Sequence, residues 1–130
     1  MGFRVLKPGQ LEWTTRPSGK PDLPDRQVAP LTDAAGFQHS RANLFRYPPG
    51  ALGRRHRDLV QEETFVVLTG TLTMYLGDPP ERHEIEAGGL VHVDSGTVLQ
   101  VANHGDDELT LYVYGAPPEH GQGEFLDSAV

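Results

Sequence analysis

Hydrophobic positions along the chain fall into short alternating or β-branched runs between turn residues: FRVL at 3–6, ANLFRY at 42–47, TFVVL at 64–68, TLTMYL at 71–76, LVHV at 90–93, VLQVAN at 98–103 and ELTLYVY at 108–114. Alternation with period two marks strands with one face in a core, because successive side chains point to opposite faces. No segment keeps apolar residues at i, i+3, i+4 and i+7 for three turns, so little helix is expected. Short strands at this spacing predict an antiparallel sandwich or barrel. YPPG at 47–50 cannot carry a ladder through two prolines, and GDPPE at 77–81 reads as a tight hairpin reversal.

Residues 13–36, WTTRPSGKPDLPDRQVAPLTDAAG, carry four prolines and little periodicity. They read as an extended arm, either loose or laid against another surface. Phe3, Val5, Leu11 and Trp13 ahead of it need a place to bury, which pairing with a second copy would provide, so a homodimer is expected.

The 130 residues, 37% apolar and 22% charged, suit a single soluble domain with one core. The chain has no cysteine, so a metal would have to be held by imidazole and carboxylate. No run approaches the roughly 20 apolar residues of a membrane span, and the start lacks the apolar stretch of a secretory signal. A cytoplasmic protein with no membrane partner is the expectation. Eleven basic against 18 acidic residues give a net charge of −7, which argues against nucleic acid as a partner. Arg54, Arg55 and Arg57 form a local exception: a solvated turn, or a clamp for an anionic ligand at a pocket mouth.

The candidate chemistry lies in RRHRDLVQEETFVVLTG, residues 54–70. On a strand, His56 and Asp58 share a face, and Glu63 can return to the same interior on the next antiparallel strand. One imidazole and two carboxylates can hold Fe²⁺, Mn²⁺, Ni²⁺ or Zn²⁺ and leave coordination positions open. Alternatively, His56 and Asp58 bond one another near a loop, and Glu63 pairs with Arg41 or a tyrosine. Phe45, Phe65, Met74, Leu99, Val101, Tyr112 and Tyr114 would make an apolar bowl for a small organic molecule, or simply a core.

Residues 50–70 resemble the first signature of the cupin superfamily, G-x5-H-x-H-x(3,4)-E-x6-G, with Gly50, His56, Asp58 where the second histidine stands, Glu63 and Gly70. GGLVHVDSGTVLQVAN is similar to the second signature, G-x5-P-x-G-x2-H-x3-N. It keeps Gly88, Gly96 and Asn103, but has Asp94 for the proline and Leu99 for the histidine. The resemblance covers about residues 41–115. It implies an all-β, single-domain jelly-roll β-barrel, with residues 1–40 as N-terminal strand and extended arm, 41–118 as barrel and 119–130 as C-terminal tail. In many members it also implies dimerisation through N-terminal strands. The usual three histidines and one glutamate become His56, Asp58, Glu63 and Leu99, which shifts preference toward harder ions. His92, Gln100 and His104 are nearby donors that would compensate, and Asp94 would bond backbone N–H groups in a turn.

Two function classes follow. One is a metal-assisted oxygenase or isomerase with His56, Asp58 and Glu63 as ligands, or a metal-free enzyme using Glu63 or Asp58 as a base. The other is a metal-free binder of a small organic ligand. In either case Arg41, Arg54, Phe65, Leu99 and Tyr112 are expected to meet the ligand.

Overall fold

The computed structural model describes residues 2–118 and 123–130. The strands are β1 (Thr14–Arg16), β2 (Arg26–Pro30), β3 (Arg41–Tyr47), β4 (His56–Asp58), β5 (Glu62–Thr69), β6 (Thr71–Leu76), β7 (Glu81–Glu86), β8 (Leu90–Val93), β9 (Leu99–Ala102), β10 (Leu109–Ala116) and β11 (Gly123–Phe125). One α-helical turn, Thr32–Ala35, and one 3₁₀ turn, Pro8–Gln10, are the helices among the described residues, so no helix is long and apolar enough to cross a membrane.

Two antiparallel sheets carry the fold, in the orders β1-β2-β3-β10-β5-β8 and β11-β4-β9-β6-β7. Among the described residues no strand of one sheet pairs with a strand of the other, so the jelly roll is an open sandwich rather than a closed barrel. Alternation sets what each strand puts between the sheets. β5 buries Glu63, Phe65 and Val67, and β10 buries Leu109, Leu111 and Val113. Leu72, Met74, Leu109 and Leu111 are fully buried. Each such side chain contributes about 1.5–3 kcal/mol relative to exposure.

Six of the expected runs are strands or lie largely within them. FRVL at 3–6 is not one: it has no strand conformation, and Phe3 and Val5 stay exposed. The arm is more ordered than its prolines indicate. β1 pairs with β2 and β2 with β3, so residues 14–30 extend the first sheet, and Trp13 lies under the guanidinium of Arg46 at 3.8 Å. β7 escaped the alternation rule because ERHEIE has one apolar residue in six. It is an edge strand held by its ladder to β6 rather than by burial. The expected tail is partly strand, β11, while residues 119–122 lie outside the described residues.

Gly70 turns β5 into β6 with φ +78°, and a Cβ there would come within 2.6 Å of the Glu108 carbonyl oxygen. Both the left-handed backbone and the contact exclude a side chain. Gly70→Ala should therefore destabilise by about 2 kcal/mol or more, whereas Gly9→Ala, with nothing near the added Cβ, should leave stability within about 0.5 kcal/mol. Thermal melts of the two variants check this; equal melting temperatures would contradict it.

Candidate functional site

A cavity of about 490 Å³ opens between the sheets. β3 lines it with every second residue, Arg41, Asn43, Phe45 and Tyr47, and β5 does so with Glu63 and Phe65. The facing sheet adds His56 and Asp58 from β4, Leu99 and Val101 from β9, and Phe125 from β11. A volume of this size suits a small organic molecule.

His56, Asp58 and Glu63 converge at this cavity, each offering one ligand atom within 4.8 Å of the other two. His56 Nε2 stands 3.7 Å from Asp58 Oδ2 and 3.9 Å from Glu63 Oε1. Both separations exceed hydrogen-bond length. Donor atoms each about 2.0–2.2 Å from a shared ion lie at most about 4.4 Å apart, so both separations fall within ligand range. The ring is fixed from behind: Nδ1 lies 2.9 Å from the Arg54 carbonyl oxygen. Donating Nδ1–H to that carbonyl turns the Nε2 lone pair toward the two carboxylates, the usual arrangement of a metal-ligating histidine. Glu63 Oε1 is buried with no hydrogen-bond partner among the described residues. A buried carboxylate oxygen without a partner costs stability unless something cationic meets it. The orphaned oxygen, the anchored ring and the cysteine-free donor set all fit a divalent ion, and two carboxylates favour a harder one such as Mn²⁺ or Fe²⁺.

Without an ion, a proton does the neutralising. Burial works to lower the pKa of His56, but Asp58, Glu63 and the Arg54 carbonyl outweigh it and raise it to about 10. Asp58 is lowered to about 2, chiefly by His56 and against its own partial burial. Glu63 is pushed up by burial, against the pull of His56.

β9 explains the missing ligand: Leu99 is the residue paired with His56 across the β4–β9 ladder, so hydrocarbon stands where another donor would reach. None of the three compensating donors takes its place. Gln100 is spent on the Gly53 carbonyl, Ser128 and the Ala129 N–H. His92 meets Thr64 at 2.9 Å, and His104 meets the Tyr75 hydroxyl at 2.9 Å. None of the three lines the cavity. Asp94 does sit at a turn, but its backbone carbonyl, accepting from the Thr97 N–H, makes the local bond.

Of the five expected ligand contacts, Arg41, Arg54, Phe65 and Leu99 line the cavity. Tyr112 does not, since it alternates with the inward Leu111 and Val113 and lies on the other face of β10. Tyr114 shares that outer face, and Met74 is core. The arginine cluster also divides. Arg54 stacks on Phe125 at 3.7 Å beside the cavity. Arg55 is buried against the carbonyls of Asp127 and Gly77 and the Asp78 carboxylate. Arg57 pairs outward with Glu124 at 2.9 Å. The cations that join Arg41 and Arg54 are instead Arg16 and Arg26, delivered by the β1–β2 hairpin. Their signal, β-branched Thr14, Thr15 and Val28 around a turn, is obscured by prolines. Phe125, on a three-residue strand, gave no periodic signal at all.

The profile of the cupin-domain family matches residues 43–115, more than half of the chain. The chain is a cupin. No curated protein matches it significantly. Among solved structures it is similar to a cupin-superfamily sugar phosphate isomerase from Silicibacter pomeroyi, with 23% identity, 96% of this chain and 83% of that chain covered and a TM-score of 0.77. It is also similar to a predicted oxalate decarboxylase from Thermotoga maritima (18% identity, 88% and 99% covered, TM-score 0.76). KdgF from Halomonas sp. matches at 14% identity, with 89% and 94% covered and a TM-score of 0.69. At these identities the likeness establishes the shared fold.

A pH dependence follows from the His56 cluster. A histidine whose pKa rises on folding from 6.5 to about 10 gives stability that is fully present below pH 6.5 and lost as pH rises through 10. Asp58, lowered from 3.8 to about 2, gives stability present above pH 3.8 and lost as pH falls through 2. Glu63, raised, has the opposite sign and subtracts above its ordinary 4.5. Chelator-treated protein should therefore melt progressively lower from pH 6.5 to 10, and His56→Gln should flatten that decline. An identical decline in wild type and variant would contradict the assignment.

Proposed function

We propose that this cupin is a metal-dependent enzyme that acts on a small polar molecule by proton transfer, as an isomerase does. The convergence of His56, Asp58 and Glu63 around an orphaned buried oxygen carries the reading. His56 Nε2 and the Asp58 and Glu63 carboxylates would hold Mn²⁺, Fe²⁺, Ni²⁺ or Zn²⁺, and such an ion supplies Lewis-acid polarisation of a substrate oxygen. The isomerase among the fold's relatives supports this class over oxygenase chemistry.

The protein's own groups would do the rest. Phe45, Phe65, Val101, Leu111 and Val113 enclose the substrate's carbon skeleton and keep water out. Glu63, through the carboxylate oxygen not given to the ion, would take a proton from a carbon beside a carbonyl and return it to the neighbouring carbon. Asp58, held ionised beside His56, would supply the third ligand, while the Arg54 carbonyl keeps the imidazole oriented.

A second reading is favoured by one observation, the leucine across from His56: a cupin that keeps its cavity and binds an organic ligand without catalysis. Elemental analysis of untagged protein separates the two. Near one metal per chain, lost in His56→Ala, is expected, and Glu63→Gln should slow solvent-deuterium incorporation into a hydroxy-carbonyl substrate by about 10²–10⁴-fold. Absence of metal from both proteins, with none taken up from added Fe²⁺, Mn²⁺, Ni²⁺ or Zn²⁺, would overturn the metal-dependent reading and leave the binder or a carboxylate acting as acid/base without metal.

A further inference from the structure

We infer that Arg16 and Arg26 form a subsite for an anionic group, a phosphate or a carboxylate, carried by the substrate at a distance from its reacting carbons. The inference rests on reading the cavity as the substrate site.

The geometry starts from β3. Phe45 and Tyr47, two residues apart on the inward face, present rings whose centroids are 6.0 Å apart. Arg16 lies over the first with its guanidinium carbon 5.5 Å from the centroid, and Arg26 over the second at 5.6 Å. Arg16 and Arg26 are also direct cross-strand partners in the β1–β2 ladder. Two guanidinium groups are thereby laid side by side on one aromatic wall, both lining the cavity.

Like charges placed directly opposite on a hairpin are destabilising unless something answers them. Among the described residues neither arginine has a carboxylate within 4.0 Å, although the chain carries 18 acidic residues. Arg26 donates to the Tyr47 hydroxyl at 3.3 Å, and its Nε is buried without a partner. Partial burial and the neighbouring Arg26 both hold the Arg16 guanidinium below its usual pKa. Planar guanidinium forks match phosphate and carboxylate oxygens, and the rings beneath hold them flat and in place. His56, Asp58 and Glu63 line the same cavity, so a substrate whose anionic head is drawn to the arginines presents its other, polar end to that trio.

The test is calorimetric titration of the full chain with inorganic phosphate, and separately with malonate, at matched ionic strength against chloride. Millimolar or tighter binding of at least one anion is expected, and which one binds tells a phosphate ester from a carboxylate. Arg16→Gln and Arg26→Gln should each weaken it at least about tenfold, while Arg57→Gln, which removes the same charge from an outward pair with Glu124, should not. Arg16, at the exposed rim, can be changed without touching the core, so its variant answers even if loss of the Arg26–Tyr47 bond harms folding. Failure of wild type to bind either anion, or equal weakening by Arg57→Gln, would overturn the inference. Mn²⁺ uptake measured on the same proteins stays unchanged in both variants if only the anion subsite is lost, and its failure in wild type would count against the metal reading and not against this one.

Discussion

Three ionisable side chains held in the gap between two sheets set the terms for the rest of this molecule. Two carboxylates brought within 4.8 Å of one imidazole carry more negative charge than the imidazolium cancels, and one of them, Glu63, is buried. The protein supplies partial remedies: the proton on His56, the Arg54 carbonyl behind it, and Arg41 in the same cavity wall. An oxygen of Glu63 is still left without a partner among the described residues. A divalent cation at this point would meet all three groups at once. The two sheets hold them close, Glu63 coming from one and His56 and Asp58 from the other, so the stability of the sandwich and the competence of the site are linked.

The N-terminal hairpin gives the cavity its second pole. By pairing onto β3, it sets two guanidiniums over the rings of Phe45 and Tyr47, making a wall of positive charge in a molecule whose net charge is −7. At the other margin β11 pairs with β4 and brings Phe125 beside His56, with ring centroids 6.1 Å apart, under the guanidinium of Arg54. Both chain ends thus finish the cavity that the central strands begin. The motif asparagine has a plain structural duty. Asn103, fully buried, donates to the carbonyls of Tyr47 and Asp107 and accepts from the Gly105 N–H, tying the end of β3 to the turn before β10.

The central strands were legible because each has one buried face, and burial writes itself as alternation; β5 and β10 show this directly. β7 was not legible, since an edge strand held by its ladder needs no apolar face. Of the site, the trio was readable from strand parity and spacing, and so was the loss of a ligand at Leu99. The arginines were not. Arg54, Arg55 and Arg57 lie within four residues of one another, but Phe125, the Asp127 carbonyl and Glu124 of the C-terminal segment draw them to three different surroundings. Arg16 and Arg26, ten residues apart across a proline-rich turn, meet only through hairpin pairing. Tyr112 failed for a simpler reason: one step along a strand reverses the face.

The most direct measurement is anomalous X-ray diffraction from a crystal equilibrated with Mn²⁺. A single strong peak bounded by His56 Nε2 and the Asp58 and Glu63 carboxylates is expected, with Leu99 leaving one side unliganded. A map with no peak there, and His56 still facing two carboxylates across an unchanged gap, would contradict it.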